Sequence, residues 1–270
     1  MASFKSDEIV ILLGAGASVE AGIPHSAAMI KQVEENIAQS DDDWSQFRDL
    51  YHYIRSSIYY SDGIHGKFDS KVNYNIERLV DTLNEISMRS EHTLYPFVGA
   101  WNPTLVEVAG EEFSRVKELR DAIISILRTQ WLAVENYGES AAYYSGLVDF
   151  QAEYQYTLRV FSLNYDLCME RICQARDVSL ERGFNDARNW DWRQFDVSPD
   201  LLKAIHLYKL HGSIDWTYRD EQLTYFDDPG AIDDAAIIFG TSYKLQYSDP
   251  FLFLTYEFRR WTLESRIIVA

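Results

Sequence analysis

The chain has 270 residues, of which 47% are hydrophobic, so it is long enough for one large core with an elaboration or for two small domains. Acidic residues outnumber basic residues by 42 to 25, and the resulting net charge of −17 argues against direct binding of nucleic acid. The sequence has no apolar run long enough for a membrane span and no apolar signal core at its start, which favours a cytoplasmic protein with no membrane contact. Its two cysteines, Cys168 and Cys173, are interpreted as reduced thiols in the core.

The first predicted element is a strand over residues 8–13 that runs into a glycine-rich loop. Residues 9–24 read IVILLGAGASVEAGIP. Gly14 and Gly16 would let backbone N–H groups approach an anionic oxygen closely, which is typical of a phosphate-binding loop. The loop is not a dinucleotide fingerprint, because Val19 stands at its sixth position, and it lacks the lysine of a Walker loop. Without a ligand, the same residues would form a tight strand-to-helix turn.

The spacing of apolar residues predicts a helical block after this loop. The predicted helices cover residues 27–38, 43–59, 75–88 and 111–135. Loops are predicted at residues 61–66 and 95–103. We interpret residues 26–150 as a helical insertion after the first strand.

β-branched runs return after residue 157 and predict strands over residues 157–163, 205–210, 235–239 and 267–270. Short apolar strands separated by helices or loops indicate a Rossmann-like α/β fold, with a parallel sheet flanked by helices on both faces. Ligands bind at the carboxyl ends of the strands in such sheets. Because Gly14, Asn164 and His211 each follow a predicted strand, we expect their loops to converge on one crevice.

Three short motifs, in this order, resemble those of the sirtuin family. The first sirtuin motif, Gly-Ala-Gly-x-Ser-x-x-x-Gly-Ile-Pro, is matched at Gly14, Ala15, Gly16, Ser18, Gly22, Ile23 and Pro24. Residues 162–166, SLNYD, stand where sirtuins have Gln-Asn-Ile-Asp, and residues 210–213, LHGS, stand where they have the catalytic His-Gly. The resemblance is confined to these motifs and leaves the helical block outside it.

Two departures separate the chain from the sirtuin deacylases. Those enzymes carry Phe-Arg after the proline, where this chain has His25 and Ser26. They also hold a structural zinc with four cysteines, and two thiols cannot fill such a site, so no zinc is expected. The pattern is similar to the bacterial sirtuin-like domains that destroy NAD during antiphage defence and lack the zinc module.

This resemblance implies an NAD hydrolase that cleaves its substrate to nicotinamide and ADP-ribose. Asn164 would hold the ribose or position the water, and His211 would accept a proton near neutral pH. Asp166 would anchor the nicotinamide carboxamide, and the diphosphate would lie against Ser18 and residues 14–16. The full predicted binding set is Gly14, Ala15, Gly16, Ser18, Ile23, Pro24, Asp166 and Ser213.

Each of these residues also has a structural interpretation. Asn164 and Asp166 could cap the helix that follows Leu167, and His211 could be a turn histidine. His206 is interpreted as structural. The alternative functions are an NAD-dependent protein deacylase and a non-catalytic NAD or ADP-ribose sensor. Only the NAD hydrolase interpretation predicts nicotinamide release from NAD alone.

The resemblance also implies an assembly that controls the activity. A homo-oligomer is expected, with a partner protein such as a hexameric translocase ATPase or an Argonaute-like protein. The last strand, residues 267–270, ends without a turn, and the Gly-x-Ser loop with which sirtuin-like domains hold adenosine does not follow it. We therefore expect the C-terminal part of the domain to be missing from this chain.

Overall fold

The structure is a computed structural model that describes residues 8–39, 43–68, 74–89, 102–154, 156–196, 204–232, 234–239 and 249–270. The chain divides into two compact units. The sheet unit comprises Met1–Ile23, Leu132–Ile238 and Tyr243–Ala270, and the helical unit comprises Pro24–Trp131 and Phe239–Ser242.

The strands of the described residues all belong to the sheet unit. In chain order they are β1 (Ile9–Leu13), β2 (Leu158–Ser162), β3 (Leu180–Glu181), β4 (Ile205–Lys209), β5 (Trp216–Arg219), β6 (Gln222–Tyr225) and β7 (Ile267–Val269). Five of them form a parallel sheet in the order β3-β4-β2-β1-β7, and β5 pairs with β6 in an antiparallel hairpin. This arrangement confirms the predicted Rossmann-like α/β class.

The described helices are divided between the two units. In chain order they are α1 (Ser26–Ala38), α2 (Arg48–Ile64), α3 (Ile76–Ser87), α4 (Pro103–Ala109), α5 (Ser114–Ile126), α6 (Tyr137–Ser140), α7 (Ser145–Tyr154), α8 (Cys168–Ala175) and α9 (Phe251–Glu264). Helices α1 to α5 lie in the helical unit, whereas α6 to α9 lie in the sheet unit. The long run of helices between β1 and β2 is therefore present, and its last two members group with the sheet.

The two faces of the sheet carry different side chains because neighbouring residues of a strand point to opposite faces. Phe161 lies opposite Tyr208 in the register of β2 and β4, and their rings stack at 4.6 Å. This face packs against α9, where Phe258 contacts Phe161 edge to face. On the other face, Lys209 reaches Glu170 of α8. Strand β7 lies at one edge of the sheet, and its side chains are about half exposed.

The helical unit has its own apolar core. Helix α3 buries Leu79, Val80 and Leu83 on one face, in agreement with its predicted amphipathic pattern. Its first turn is capped by Asn75, whose side chain accepts a hydrogen bond from the N–H of Arg78 at 2.9 Å. His25 caps α1 in the same way by accepting from Ala28. None of the described helices could cross a membrane, since each is too short or too polar.

Several predicted elements are wrong in detail. Residues 61–66 were predicted as a loop, but α2 continues to Ile64. The predicted helix over 111–135 is interrupted by left-handed φ angles at Glu112 and Phe113, and it widens into a π-helix at Leu127–Trp131. Residues 235–239 form no strand among the described residues, and only Ile237 makes a bridge, with Gly212. Of the predicted loop at 95–103, residues 95–101 lie outside the described residues.

Candidate functional site

The three predicted loops all begin at the carboxyl edge of the parallel sheet. Gly14 directly follows β1, Asn164 lies two residues beyond the end of β2, and His211 lies two residues beyond the end of β4. Strands β4, β2 and β1 are adjacent in the sheet. The loops therefore leave the sheet side by side, which is the arrangement expected for a ligand site in this fold.

A buried hydrogen-bond network joins the first two loops. The Asn164 side-chain amide donates to the Gly14 carbonyl at 2.9 Å and to the Ser18 hydroxyl at 2.8 Å. The Ser18 hydroxyl in turn donates to an Asp166 carboxylate oxygen at 2.6 Å. Ser18, Asn164 and Asp166 are exposed by 1%, 8% and 5% respectively, so solvent competes little for these bonds. The network fixes the glycine loop against the loop after β2.

The orientation of the Asn164 amide follows from its partners. A backbone carbonyl can only accept, so the atom that faces the Gly14 carbonyl must be the amide nitrogen. Both of its N–H groups are then used within the protein. Its Oδ1 accepts no hydrogen bond from the described residues. The arrangement thus presents a carbonyl oxygen as an acceptor beside the glycine loop.

Asp166 uses both carboxylate oxygens inside the protein. One accepts from Ser18, and the other accepts from the N–H of Cys168 at 2.9 Å, in the first turn of α8. Asp166 therefore caps the start of α8 through its contact with the Cys168 N–H, as its structural interpretation predicted, and it also holds Ser18. Asn164 does not cap α8, because its side chain points to the glycine loop instead.

The glycine loop has open space above it. A Cβ atom placed on Gly14 or Gly16 would meet no described atom within 4 Å. The φ angle of Gly14 is −104°, which any residue can adopt. Among the described residues, neither local packing nor this backbone angle requires glycine at position 14. The residues that follow form a 3₁₀ helix, Ala15–Ala21, rather than the start of an α-helix.

The turn that carries His211 is held by backbone contacts. Gly212 has a φ of +83°, and a Cβ there would lie 1.9 Å from the Ala236 carbonyl oxygen, so only glycine fits. The Ile238 N–H donates to the His211 carbonyl, and the Ile214 N–H donates to the Tyr165 carbonyl at 3.0 Å. The His211 ring lies 6.3 Å from the ring of Tyr165, the neighbour of Asn164. His211 itself is half-buried.

Three tyrosines that the sequence analysis did not select surround this network. The Tyr143 hydroxyl donates to the Ala17 carbonyl in the glycine loop. Burial, followed by the negative charge of Asp166, raises the pKa of Tyr137. Burial and the neighbouring Tyr143 raise the pKa of Tyr144, and the Asp166 carboxylate adds to the shift. Nothing in their local sequence marks them, because their position depends on the packing of α6 and the segment after it.

Lys209 is a further functional candidate that the sequence did not reveal. It is the last residue of β4 and only 1% exposed, yet its ammonium group contacts the predicted site residue Ser213 at 2.9 Å. It also donates to the Asp166 carbonyl. A lysine inside an apolar strand is the one sequence signal that could have drawn attention to it.

Three other residues of the predicted binding set, Ile23, Pro24 and Ser213, lie outside the side-chain hydrogen-bond network of Ser18, Asn164 and Asp166. Ile23 is 6% exposed and Ser213 is fully buried, so their side chains pack inside the protein. Pro24 belongs to the helical unit. Burial lowers the pKa of His206 to about 4, and Arg159 contributes in the same direction, so this ring is neutral at pH 7.

Both cysteines are free and buried. Burial, followed by the charge of Asp166, raises the pKa of Cys168, and burial raises the pKa of Cys173 to about 12. Both thiols therefore stay protonated at neutral pH, which is unfavourable for a nucleophile. The described residues contain no group of three or more His, Cys, Asp or Glu side chains that could hold a metal ion.

No protein-family model matches the sequence, and no curated protein is significantly similar to it.

Proposed function

We propose that this protein hydrolyses the bond between nicotinamide and ribose in NAD, releasing nicotinamide and ADP-ribose. The observation that carries the proposal is the bonded set of Gly14, Ser18, Asn164 and Asp166 at the carboxyl edge of the sheet. It joins two of the three motifs that resemble sirtuins, and the third begins at the end of the adjacent strand.

The diphosphate of NAD would lie in the open space at Gly14 and Gly16. Backbone N–H groups of the loop would contact its oxygens, since the Ser18 hydroxyl is already bonded to Asp166 and Asn164. In this role Ser18 holds the shape of the loop. Asp166 fixes Ser18, and a direct bond from Asp166 to the nicotinamide carboxamide would use a second lone pair on an oxygen that is already engaged.

Asn164 and His211 would act at the ribose. As nicotinamide leaves, the ribose carbon gains positive character of the kind seen in glycoside hydrolysis. The Asn164 Oδ1 would accept a hydrogen bond from a ribose hydroxyl or from the attacking water, because its N–H groups are held elsewhere. The imidazole of His211 would take the proton that this water or hydroxyl gives up.

The same resemblance leads us to propose a cytoplasmic defence effector that depletes NAD and is controlled by self-association or by a partner. A hexameric translocase ATPase and an Argonaute-like protein are the partner classes that fit. Size-exclusion chromatography with light scattering, with and without each partner class, followed by NAD consumption in the same fractions, tests this. A monomer that is fully active alone would contradict it.

The direct test is incubation of the protein with NAD alone and chromatography of the products. We expect nicotinamide and ADP-ribose in equal amounts. Asn164→Ala and His211→Ala should each slow nicotinamide release by about a hundredfold to ten-thousandfold, the usual cost of losing a positioned acid–base group. His52→Ala, at an exposed position of α2, is the matched histidine control and should leave the rate unchanged.

Other outcomes would identify the alternatives. Nicotinamide release that requires an acylated peptide would indicate a deacylase, and NAD binding without turnover would indicate a sensor. Wild-type rates in both Asn164→Ala and His211→Ala, with circular dichroism showing folded proteins, would refute the assigned roles.

A further inference from the structure

The side chain of Lys209 makes an unusually complete set of buried contacts. It is 1% exposed, and burying an ammonium group is unfavourable unless its charge and its N–H donors are matched. Its three donors meet three acceptors: the Asp166 carbonyl, the Ser213 hydroxyl at 2.9 Å and a Glu170 carboxylate oxygen at 3.3 Å. The hydrogen-bonding capacity of the group is therefore filled within the protein.

These acceptors lie on three different segments. Asp166 belongs to the loop after β2, Glu170 to α8, and Ser213 to the turn after β4 that also carries His211. One nitrogen atom therefore joins the backbone at the Asn164–Asp166 loop to the turn that presents His211. Among the described residues it links the second and third motifs together with a longer contact, from the Ser213 hydroxyl to the Tyr165 carbonyl at 3.4 Å.

The charges around Lys209 are balanced. Glu170 lies 3.7 Å from Arg182, and Arg182 contacts Asp215 at 2.7 Å. Two cations thus face two carboxylates in a region where every member is at most 14% exposed. Each charged group of this cluster therefore has an oppositely charged neighbour.

The short contact from Lys209 to Ser213 could also suggest a serine nucleophile with a lysine base. Ser213 is fully buried, and its hydroxyl also faces the Tyr165 carbonyl at 3.4 Å. A substrate carbonyl has no access to this oxygen. The contact therefore serves to hold the turn.

We propose that Lys209 is a positioning residue for the reaction described above: its ammonium group fixes the Asp166 backbone and the His211 turn relative to each other, so that Asn164 and His211 face the same ribose. This inference rests on the proposed NAD hydrolysis. Misplacement of reacting groups by about 1 Å can cost about a hundredfold in rate, so loss of these bonds should slow turnover more than it weakens binding.

The decisive variant is the double substitution Lys209→Met with Glu170→Gln. Lys209→Met alone would leave Glu170 without its closest cation. Any instability of that single variant would then reflect an unpaired buried carboxylate. The double variant stays neutral and keeps the pair of Arg182 with Asp215. The matched control is Lys31→Met with Glu35→Gln, an ion pair at 3.1 Å in α1 whose side chains are 76% and 58% exposed.

Three measurements are made on each protein: thermal unfolding, kcat and KM for nicotinamide release, and amide hydrogen exchange of residues 163–167 and 211–215. In the folded double variant we expect kcat to fall about tenfold to a hundredfold with a smaller change in KM, and exchange in both segments to accelerate. The control should match the wild type in all three. A purely structural role would lower the unfolding temperature and leave kcat of the folded protein unchanged.

Wild-type kcat in the folded double variant would overturn the proposal. If that variant does not fold, Ser213→Ala takes its place, because it removes one acceptor and preserves both charges; an unchanged kcat there would also overturn it. If the wild-type protein releases no nicotinamide, the proposed function fails by itself. Hydrogen exchange then decides whether Lys209 fixes the two loops, with faster exchange supporting this and unchanged exchange refuting it.

Discussion

Individual residues at the site were partly predictable from the sequence. The motifs placed Gly14, Asn164 and His211 at strand ends, because apolar strands followed by glycine or polar residues are a local signal. Asn164 lies 150 positions from Gly14 and 146 positions from Ser18, the two residues that it contacts. Such pairs depend on how β1 and β2 align in the sheet, which no local pattern records.

Gly212 offers a test of the His211 turn. We expect Gly212→Ala to destabilise the protein by about 3 kcal/mol or more, since it combines an unfavourable positive φ with a clash against the Ala236 carbonyl oxygen. Urea unfolding followed by fluorescence measures the change. The control is Gly63→Ala within α2, where a Cβ meets no described atom within 4 Å.

Alanine stabilises helix interiors relative to glycine by up to about 1 kcal/mol, so Gly63→Ala should be neutral or stabilising. Equal stability of Gly212→Ala and the wild type would show that the turn relaxes freely, and it would remove the argument that backbone packing fixes His211.

His206 makes the stability of the protein depend on pH. Its folded-state pKa of about 4 lies below the ordinary value of 6.5, so the fold favours the neutral ring. The stability that this provides is complete above about pH 6.5 and is lost as the pH falls towards 4. The full difference amounts to about 3 kcal/mol. Measured from pH 7 to pH 4, the unfolding free energy of the wild type should therefore fall by about 3 kcal/mol relative to that of His206→Leu.

His52→Leu, at an exposed position of α2, is the matched histidine-to-leucine control for that series. Parallel curves for the wild type and His206→Leu would mean that the buried ring does not titrate as the structure implies. Carboxylates also titrate in this pH range, so the informative quantity is the difference in unfolding free energy between the wild type and His206→Leu.

At the scale of elements, long periodic segments were predictable and short or interrupted ones were not. The strands at β1, β2, β4 and β7 and the helices α1 and α3 were found within one or two residues of their ends. Each has a clear hydrophobic period or a capping residue such as Asn75. Strand β3 has two residues, which is too short for any period to be detected.

The errors have identifiable physical causes. Residues 61–64 stay helical although they include Ser61, Asp62 and Gly63, because Arg78 donates to both oxygens of the Asp62 carboxylate at 2.6 and 2.8 Å. A contact from α3 thus overrides a local turn signal. In the apolar run at 235–239, Ala236, Ile238 and Phe239 are buried, but the run has no regular secondary structure. Hydrophobicity alone predicted its burial and not its hydrogen bonding.

The β5–β6 hairpin was missed because its turn lacks the usual glycine or asparagine. Asp220 and Glu221 both adopt positive φ angles, 49° and 64°, as a two-residue hairpin of the primed type requires. Trp216 at the start of this hairpin is fully buried in the core of the sheet unit. The burial of Trp216 stabilises the hairpin and offsets the unfavourable positive φ angles of Asp220 and Glu221.

At the scale of the whole molecule, the chain leaves the sheet unit after Ile23 and returns to it at Leu132. The intervening residues bury an apolar set of their own, which includes Val33, Leu50, Leu79, Leu119 and Ile123, each fully buried. A unit of about a hundred residues that buries such an apolar set is large enough to fold by itself. We therefore expect the fragment 24–131 to fold independently.

This expectation can be tested on one helix with two matched substitutions. Ile54 and Ile64 both lie in α2 and are 1% and 65% exposed respectively. In the fragment 24–131 we expect a helical circular dichroism spectrum and a single cooperative thermal transition. Ile54→Ala should cost about 2–5 kcal/mol because it leaves a cavity in the core, whereas Ile64→Ala should cost less than about 0.5 kcal/mol. A fragment without a cooperative transition, or equal effects of the two substitutions, would show that residues 24–131 need the remainder of the chain to form their core.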